Sequence, residues 1–314
     1  MSEDSGNVDI SSIAPVTMHA GTHAWRRRRE AVIHALLILL SLVPILTTFG
    51  IIYALFTETF MFFREVSIVE FLTGTKWSPL LIPRSFGILP LLVGTLLVTI
   101  AGMFIAVPVG LGSAIFLSEY ASPRARRWLK PLIEVLAGIP TVVYGYLALL
   151  FITPLIRAVF PQANAFNALS AAIAVGIMIV PMIASLSEDA LAAVPSSLRE
   201  AAYALGANKY EVITKVVVPT ASSGIVASFV LGISRAVGET MIVTLAAGAT
   251  PKLTLNPLES IQTVTAFIVQ ISLGETPWGT LEYKTIFAAG AVLFVLTMLM
   301  NLLAARITKN QGRI

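Results

Sequence analysis

Six stretches of this chain are each long and apolar enough to cross a bilayer as a helix, which restricts the fold to an all-α bundle in membrane. They run Ala31–Phe56, Ile88–Leu117, Pro131–Ile156, Ala168–Leu186, Gly224–Ala249 and Ile286–Ala305. A helical span needs about 20 residues. In lipid the backbone must satisfy its own hydrogen bonds, and a continuous apolar run of this length does so as a helix. Only 12% of the 314 residues are charged, about half the share usual in soluble domains. The second run is long and contains Gly102 and Pro108, so a bend or tilt is expected there. The absence of cysteine excludes disulfides and thiolate metal sites.

The basic residues then orient the spans. With the N-terminus inside, fourteen Lys and Arg residues fall on the inner side, six on the outer side, and Arg235 inside a span. The excess follows the positive-inside rule. Leu258–Leu273 is apolar but short and holds Glu259. It reads as an interfacial or re-entrant helix, with Ile261, Val264, Ile268 and Ile271 on one face. Counting it as a seventh span would place the C-terminal basic cluster outside, so six spans with both termini in the cytoplasm are expected. Trp77 and Trp278 fall in the two large outer loops and are expected as interfacial anchors. Residues 1–29 read as a basic cytoplasmic tail, disordered up to Trp25. Its Arg26–Arg29 block resembles a signal peptide's start, but the apolar run that follows is too long to be cleaved. Residues 30–310 form the membrane domain, with an inner loop at 187–223.

That inner loop contains a polar island, Pro195–Pro219, which reads as two short helices and a turn. Ser197 with Glu200 fits a capping box, and Leu198, Ala201, Ala202 and Leu205 follow at helical spacing. Gly206 sits where a left-handed helix end wants glycine. Asn208 with Glu211 repeats the start signal, and Pro219 is expected to stop the second helix. A loop that only joins two spans does not need such an element, so it reads as a docking surface for another protein.

Arg235 and Glu239 lie four residues apart in the fifth run. A charge inside the membrane costs at least about 2.5–3.5 kcal/mol and should face a partner or a cavity. Two roles are open: a self-neutralising structural pair, or a pathway lining in which the guanidinium holds an oxyanion and Glu239 orients it. Gly138-Ile139-Pro140-Thr141 reads as a packing kink or as a broken helix with free amides. Ser118–Lys130 reads as a basic inner loop near anionic lipid. Glu188 and Asp189 read as solvated surface groups. His19, His23 and His34 have no ligand partners nearby. No phosphate-binding G-x-x-x-x-G-K-[ST], H-E-x-x-H or G-x-S-x-G occurs, so the chain carries no ATPase site and no catalytic constellation of its own.

Several stretches together resemble one family. Glu200-Ala201-Ala202, then Gly206 and Pro219, looks like the EAA motif of ABC importer permeases. Phe86–Pro90 with Gly94-Thr95, Ala106–Gly110, Phe116–Tyr120, Ala137–Gly145 and Ser234–Met241 resemble the phosphate ABC transporter permease of the PstC type. The resemblance covers roughly Trp77 to Arg306. It implies a type I importer permease fold of six transmembrane helices in a bacterial cytoplasmic (inner) membrane, with no cofactor. It also implies partners: a second, PstA-like permease, two PstB-like ATP-binding subunits and an extracytoplasmic PstS-like phosphate-binding protein. Carried over by position, it places Arg235, Glu239 and Thr240 in the substrate pathway. Glu200, Ala201, Ala202, Leu205, Gly206 and Pro219 become the ATPase-coupling residues.

Three other functions are open to the sequence. An importer of another oxyanion would share the fold and differ in its pocket. An ATP-independent transporter or channel would leave the polar island without a role and is expected to show broken helices in both halves; none is evident in the sequence. A membrane enzyme lacks its constellation.

Overall fold

The computed structural model describes residues 20–311. The predicted tail therefore lies outside the described residues up to residue 19, and from Ala20 the chain is already helical. By its contacts the chain divides at Ala54 into two units. The first contributes the N-terminal part of helix α1 (Ala20–Phe63), which continues through Pro44. There Thr47 and Thr48 donate their hydroxyls to the carbonyls of Val43 and Pro44.

The second unit holds the rest. Its elements are α2 (Ile68–Thr73), a two-strand ribbon of β1 (Trp77–Ser78) and β2 (Ser85–Phe86), α3 (Leu89–Ile115), α4 (Pro123–Ala137), α5 (Thr141–Leu147), α6 (Thr153–Val159) and α7 (Ala168–Ala192). Then come α8 (Ser196–Ala204), α9 (Lys209–Val212), α10 (Val218–Thr220), α11 (Ser222–Val237), α12 (Met241–Ala246), α13 (Val264–Leu273) and α14 (Leu281–Gln311). Single π turns extend α3 (Phe116–Tyr120), join α5 to α6 (Ala148–Ile152) and join α9 to α10 (Ile213–Val217).

Five helical stretches are long and apolar enough to span: 29–63, 89–120, 141–159, 168–192 and 281–302. A sixth exists if Lys209–Thr220 and Ser222–Val237, bent by 68°, count as one. The count of six is thus met at its upper bound, with two differences. The predicted third span, Pro131–Ile156, is two helices, because α4 ends at Ala137 and α5 begins at Thr141. Most of the predicted inner loop Ser118–Lys130 belongs to the π turn and to α4, an amphipathic helix with no buried residue, started by the Ser122 hydroxyl accepting from the Ala125 amide. The predicted fifth span, Gly224–Ala249, breaks after Val237.

The core is the long crossing of α3 and α7. Small residues let the backbones approach: a Cβ on Gly176 would lie 2.8 Å from the Gly102 carbonyl oxygen. This is the packing that bundles use in lipid, where contact rather than water expulsion holds helices together. Around it lie Val98, Met103, Ala106, Val175, Ile179 and Ile183, all buried.

A second core is aromatic. Phe62, Phe71, Trp77, Phe86 and Phe267 pack edge to face, with the Trp77 and Phe267 rings 4.9 Å apart. Trp77 is buried there and is not the interfacial anchor expected of it, whereas Trp278 is exposed. The edge-to-face geometry recovers ring quadrupole energy that an interfacial position would not.

Leu258–Leu273 is helical only from Val264; Ile261, Gln262 and Thr263 before it are buried and outside any helix, with Thr263 extended. Gly94 and Thr95 hold this segment. The Val264 amide donates to the Thr95 hydroxyl at 3.1 Å, and a Cβ on Gly94 would lie 2.5 Å from the Gln262 carbonyl oxygen. Gly94→Ala must therefore move backbone. It is expected to lower stability by about 1–3 kcal/mol, the range for overpacking a filled site. A thermal-unfolding midpoint in detergent no lower than wild type would contradict this.

Candidate functional site

The break after α11 creates the first candidate site. At the end of α11 the Gly238 amide donates to the Ser234 carbonyl and the Glu239 amide to the Ala236 carbonyl. The Glu239 side chain is then almost wholly buried, at 1% exposure. Its Oε1 accepts from the amides of Met241 (3.1 Å) and Ile242 (3.2 Å), which open α12. Its Oε2 accepts from Arg235 Nη1 at 2.9 Å. Glu239 thus satisfies two amides that a helix start leaves free and anchors a guanidinium with the remaining oxygen. The pair forms as its four-residue spacing implies, but Glu239 lies beyond the helix rather than on its face.

Arg235 remains 44% exposed. It lines a cavity of about 430 Å³ together with Glu134, Ile139, Met178, Met182 and Ser185. One carboxylate oxygen engages only one of its five donors, so the guanidinium can bind a second acceptor without leaving Glu239. Thr240 is elsewhere: its hydroxyl donates to the Gly238 carbonyl, and it is not in the cavity wall.

Ile139 brings the other break to the same cavity. The amides of Gly138 and Ile139 donate to the carbonyls of Val135 and Leu136, and the Tyr144 hydroxyl donates to the Leu136 carbonyl at 3.0 Å. The helix is broken, yet these two amides are not free to meet a ligand. Gly145 matters here because α5 packs closely on α12: a Cβ would lie 2.8 Å from Leu245. Both halves of the protein therefore contain a broken helix: of the two readings open at Gly138–Thr141 the fold has the broken helix, without its free amides, while the break after Val237 was not expected.

The second candidate site is the loop after α7. Helix α8 starts one residue earlier than expected, at Ser196 behind Pro195, with no side-chain cap, so the Ser197–Glu200 capping box does not form. The rest of the turn follows the sequence closely. Gly206 adopts φ +84°. Its amide donates to the Tyr203 carbonyl at 2.9 Å, and the Ala207 amide to the Ala202 carbonyl at 3.1 Å. These two bonds are a Schellman closure. Asn208 and Glu211 form a reciprocal capping box at 3.0 and 3.1 Å. Pro219 lies inside α10, and the chain turns by 68° only after Thr220.

Of the predicted coupling residues only Ala202 is drawn inward, against a cluster that includes Ala114, Leu191, Val212 and Val217. Glu200, Ala201, Leu205 and Gly206 face outward, Leu205 at 89% exposure. Leu198, Tyr203 and Tyr210 are exposed beside them.

One cluster was misread. Glu188 is fully buried, not surface-solvated. It pairs with Arg126 and, at 2.7 Å, with Lys130, which also reaches Asp189 at 2.6 Å. Hydrogen bonds from Lys130 first to Asp189 and then to Glu188 raise its pKa above the usual lysine value. These pairs fasten α4 to the end of α7. The available signal was the four-residue spacing of Arg126 and Lys130, read against adjacent acids at the end of a span. Among the described residues no group of acids or histidines is arranged to hold a metal ion.

The fold has counterparts among known proteins. Residues 106–313 match the family of binding-protein-dependent transport system inner membrane components, and the chain belongs to that family. It is a multi-pass membrane permease of an ABC importer. It is 39% identical over 238 residues to the probable ABC transporter permease YqgH of Bacillus subtilis, covering 76% of this chain and 77% of that protein. It is 30% identical over 294 residues to the phosphate transport system permease PstC of Mesorhizobium japonicum, covering 88% of each. Among solved structures, a bacterial ABC transporter that imports the acidic polysaccharide alginate superposes with a TM-score of 0.66. It is 13% identical and covers 92% of this chain and 99% of the other, a likeness of fold.

Proposed function

We propose that the chain is the PstC-type permease subunit of an importer for inorganic phosphate. The observation that carries this reading is Arg235, anchored through one donor by a buried carboxylate and left half-open on a cavity. An oxyanion is the ligand a planar guanidinium fork suits best, and PstC-named relatives over most of the chain narrow the oxyanion to phosphate. In this reading Arg235 and Glu239 line the pathway formed with a PstA-like partner, and a PstS-like protein delivers phosphate from outside. Thr240 belongs to the pathway only by the family resemblance. Both termini and residues 195–219 face the cytoplasm, where the exposed face of α8 and Gly206 docks a PstB-like ATP-binding subunit. The broken helices do not favour an ATP-independent transporter, because broken helices occur in this importer family member alongside an outward docking surface that such a transporter would not use.

Two measurements test the reading. Labelled phosphate uptake should return when the gene is supplied to cells lacking their own phosphate permease. An ATP-binding subunit should co-purify with the chain in mild detergent. Uptake that does not return, with intact expression, would refute the substrate; a chain that purifies without an ATPase would refute the docking surface.

A further inference from the structure

One side chain ties α8 to the long helices. Arg199 lies on α8 with its side chain only 21% exposed. Its guanidinium donates to the carbonyls of Leu191 (2.8 Å) and Val194 (2.5 Å), at and just after the end of α7. It also donates to the carboxylate of Glu119 at 3.1 Å, in the π turn that ends α3. Glu119 is 10% exposed, and the Ser118 hydroxyl donates to the same oxygen. Among the described residues these are the only side-chain hydrogen bonds made by α8. Apart from them, Ala202 supplies its apolar contact with the neighbouring cluster.

We propose that Arg199 is the positioning residue through which displacement of the docking helix reaches the transmembrane helices, with Glu119 as its acceptor on α3. This rests on reading residues 195–219 as the docking surface. The geometry suits transmission. A guanidinium is a planar fork, and acceptors in two different helices fix both its position and its orientation. At α7 it meets carbonyls at a helix C-terminus, where a cation is also favoured by the helix dipole. At α3 it meets a π turn, a form of helix that recurs at functional sites. Because α3 and α7 are in close backbone contact at Gly102 and Gly176, a pull on their shared end moves both. A purely apolar contact at Ala202 would let α8 slide without carrying them.

The test uses the whole importer in proteoliposomes: this chain with its partner permease, ATP-binding subunits and binding protein. Labelled phosphate taken up and ATP hydrolysed are measured for wild type, Arg199→Ala, Arg199→Lys and Glu119→Gln. The ATP-binding subunit should remain bound, and phosphate moved per ATP should fall about tenfold in Arg199→Ala, within the usual span of a coupling free energy. Arg199→Lys and Glu119→Gln should fall less, since each keeps part of the tie. An unchanged ratio in Arg199→Ala overturns the inference and leaves the docking surface standing. If Arg199→Ala fails to assemble, the ratio is read on the two milder variants, and a wild-type value there overturns it. Loss of assembly in all three also overturns it, because Arg199 would then only fold the loop. A wild-type chain that never binds the ATP-binding subunit removes the docking reading first, and the tie with it.

Discussion

Arg235→Ala is expected to lower phosphate uptake about ten- to a hundredfold, the loss associated with one hydrogen-bonding partner to a charged group. The guanidinium is nearly half exposed, but the substitution takes the cation from a buried carboxylate, which is destabilising, so expression and a thermal-unfolding midpoint are measured beside uptake. Arg235→Lys should retain part of the activity, since an ammonium keeps the charge but not the fork. Wild-type uptake in Arg235→Ala would make the arginine structural and remove it from the pathway.

A paired arginine raises an objection that the geometry answers. A tight ion pair is neutral and attracts an anion weakly. Here, though, the carboxylate is committed on its other oxygen to two backbone amides, so its negative charge is drawn partly toward the start of α12. Glu239→Gln separates the two roles. A glutamine oxygen can still accept from the amides, while the negative charge beside the guanidinium is gone. If Glu239 serves to weaken the hold on phosphate so that it can leave, Glu239→Gln should lower both the maximal rate and the phosphate concentration at which that rate is half reached.

The parts of this fold that could be read from sequence are the ones set by neighbouring residues. Gly206 and the Asn208–Glu211 box were legible because a left-handed turn and a reciprocal cap need specific residues three or fewer positions apart. The break at Gly238–Thr240 was not, because hydropathy sums over a window and does not register a three-residue interruption in an apolar run; at Gly138–Thr141 the glycine and proline left a kink and a broken helix both open, and only packing decides between them. Trp77 and Glu188 were misplaced for a different reason. Trp77 meets Phe267, and Glu188 meets Arg126, far away in sequence. Until the chain is folded, either residue can be assigned to a surface. Arg235 was legible because a charge in a span is costly wherever it lies; what it faces depends on Glu134 of α4 and Ile139 of the break that follows it.

Leu205→Asp is expected to cause the largest loss at the docking surface. Leu205 is the most exposed leucine of the described chain outside its long helices, and it immediately precedes the left-handed Gly206. An apolar anchor of this kind, buried by a partner, typically contributes about 2–4 kcal/mol to binding. A carboxylate there would also have to be desolvated. The ATP-binding subunit should no longer co-purify, and uptake should fall with it. Gly206 separates anchoring from turn geometry. Nothing lies within 4 Å of the position its Cβ would take, so a substitution acts through φ alone. Gly206→Asn should be nearly silent because asparagine visits the left-handed region. Gly206→Val should weaken co-purification about five- to thirtyfold, the population shift set by the 1–2 kcal/mol cost of a Cβ in that region. If Leu205→Asp still binds the subunit while Gly206→Val does not, the turn matters but the apolar face does not, and the anchor must be sought at Tyr203 or Tyr210 instead.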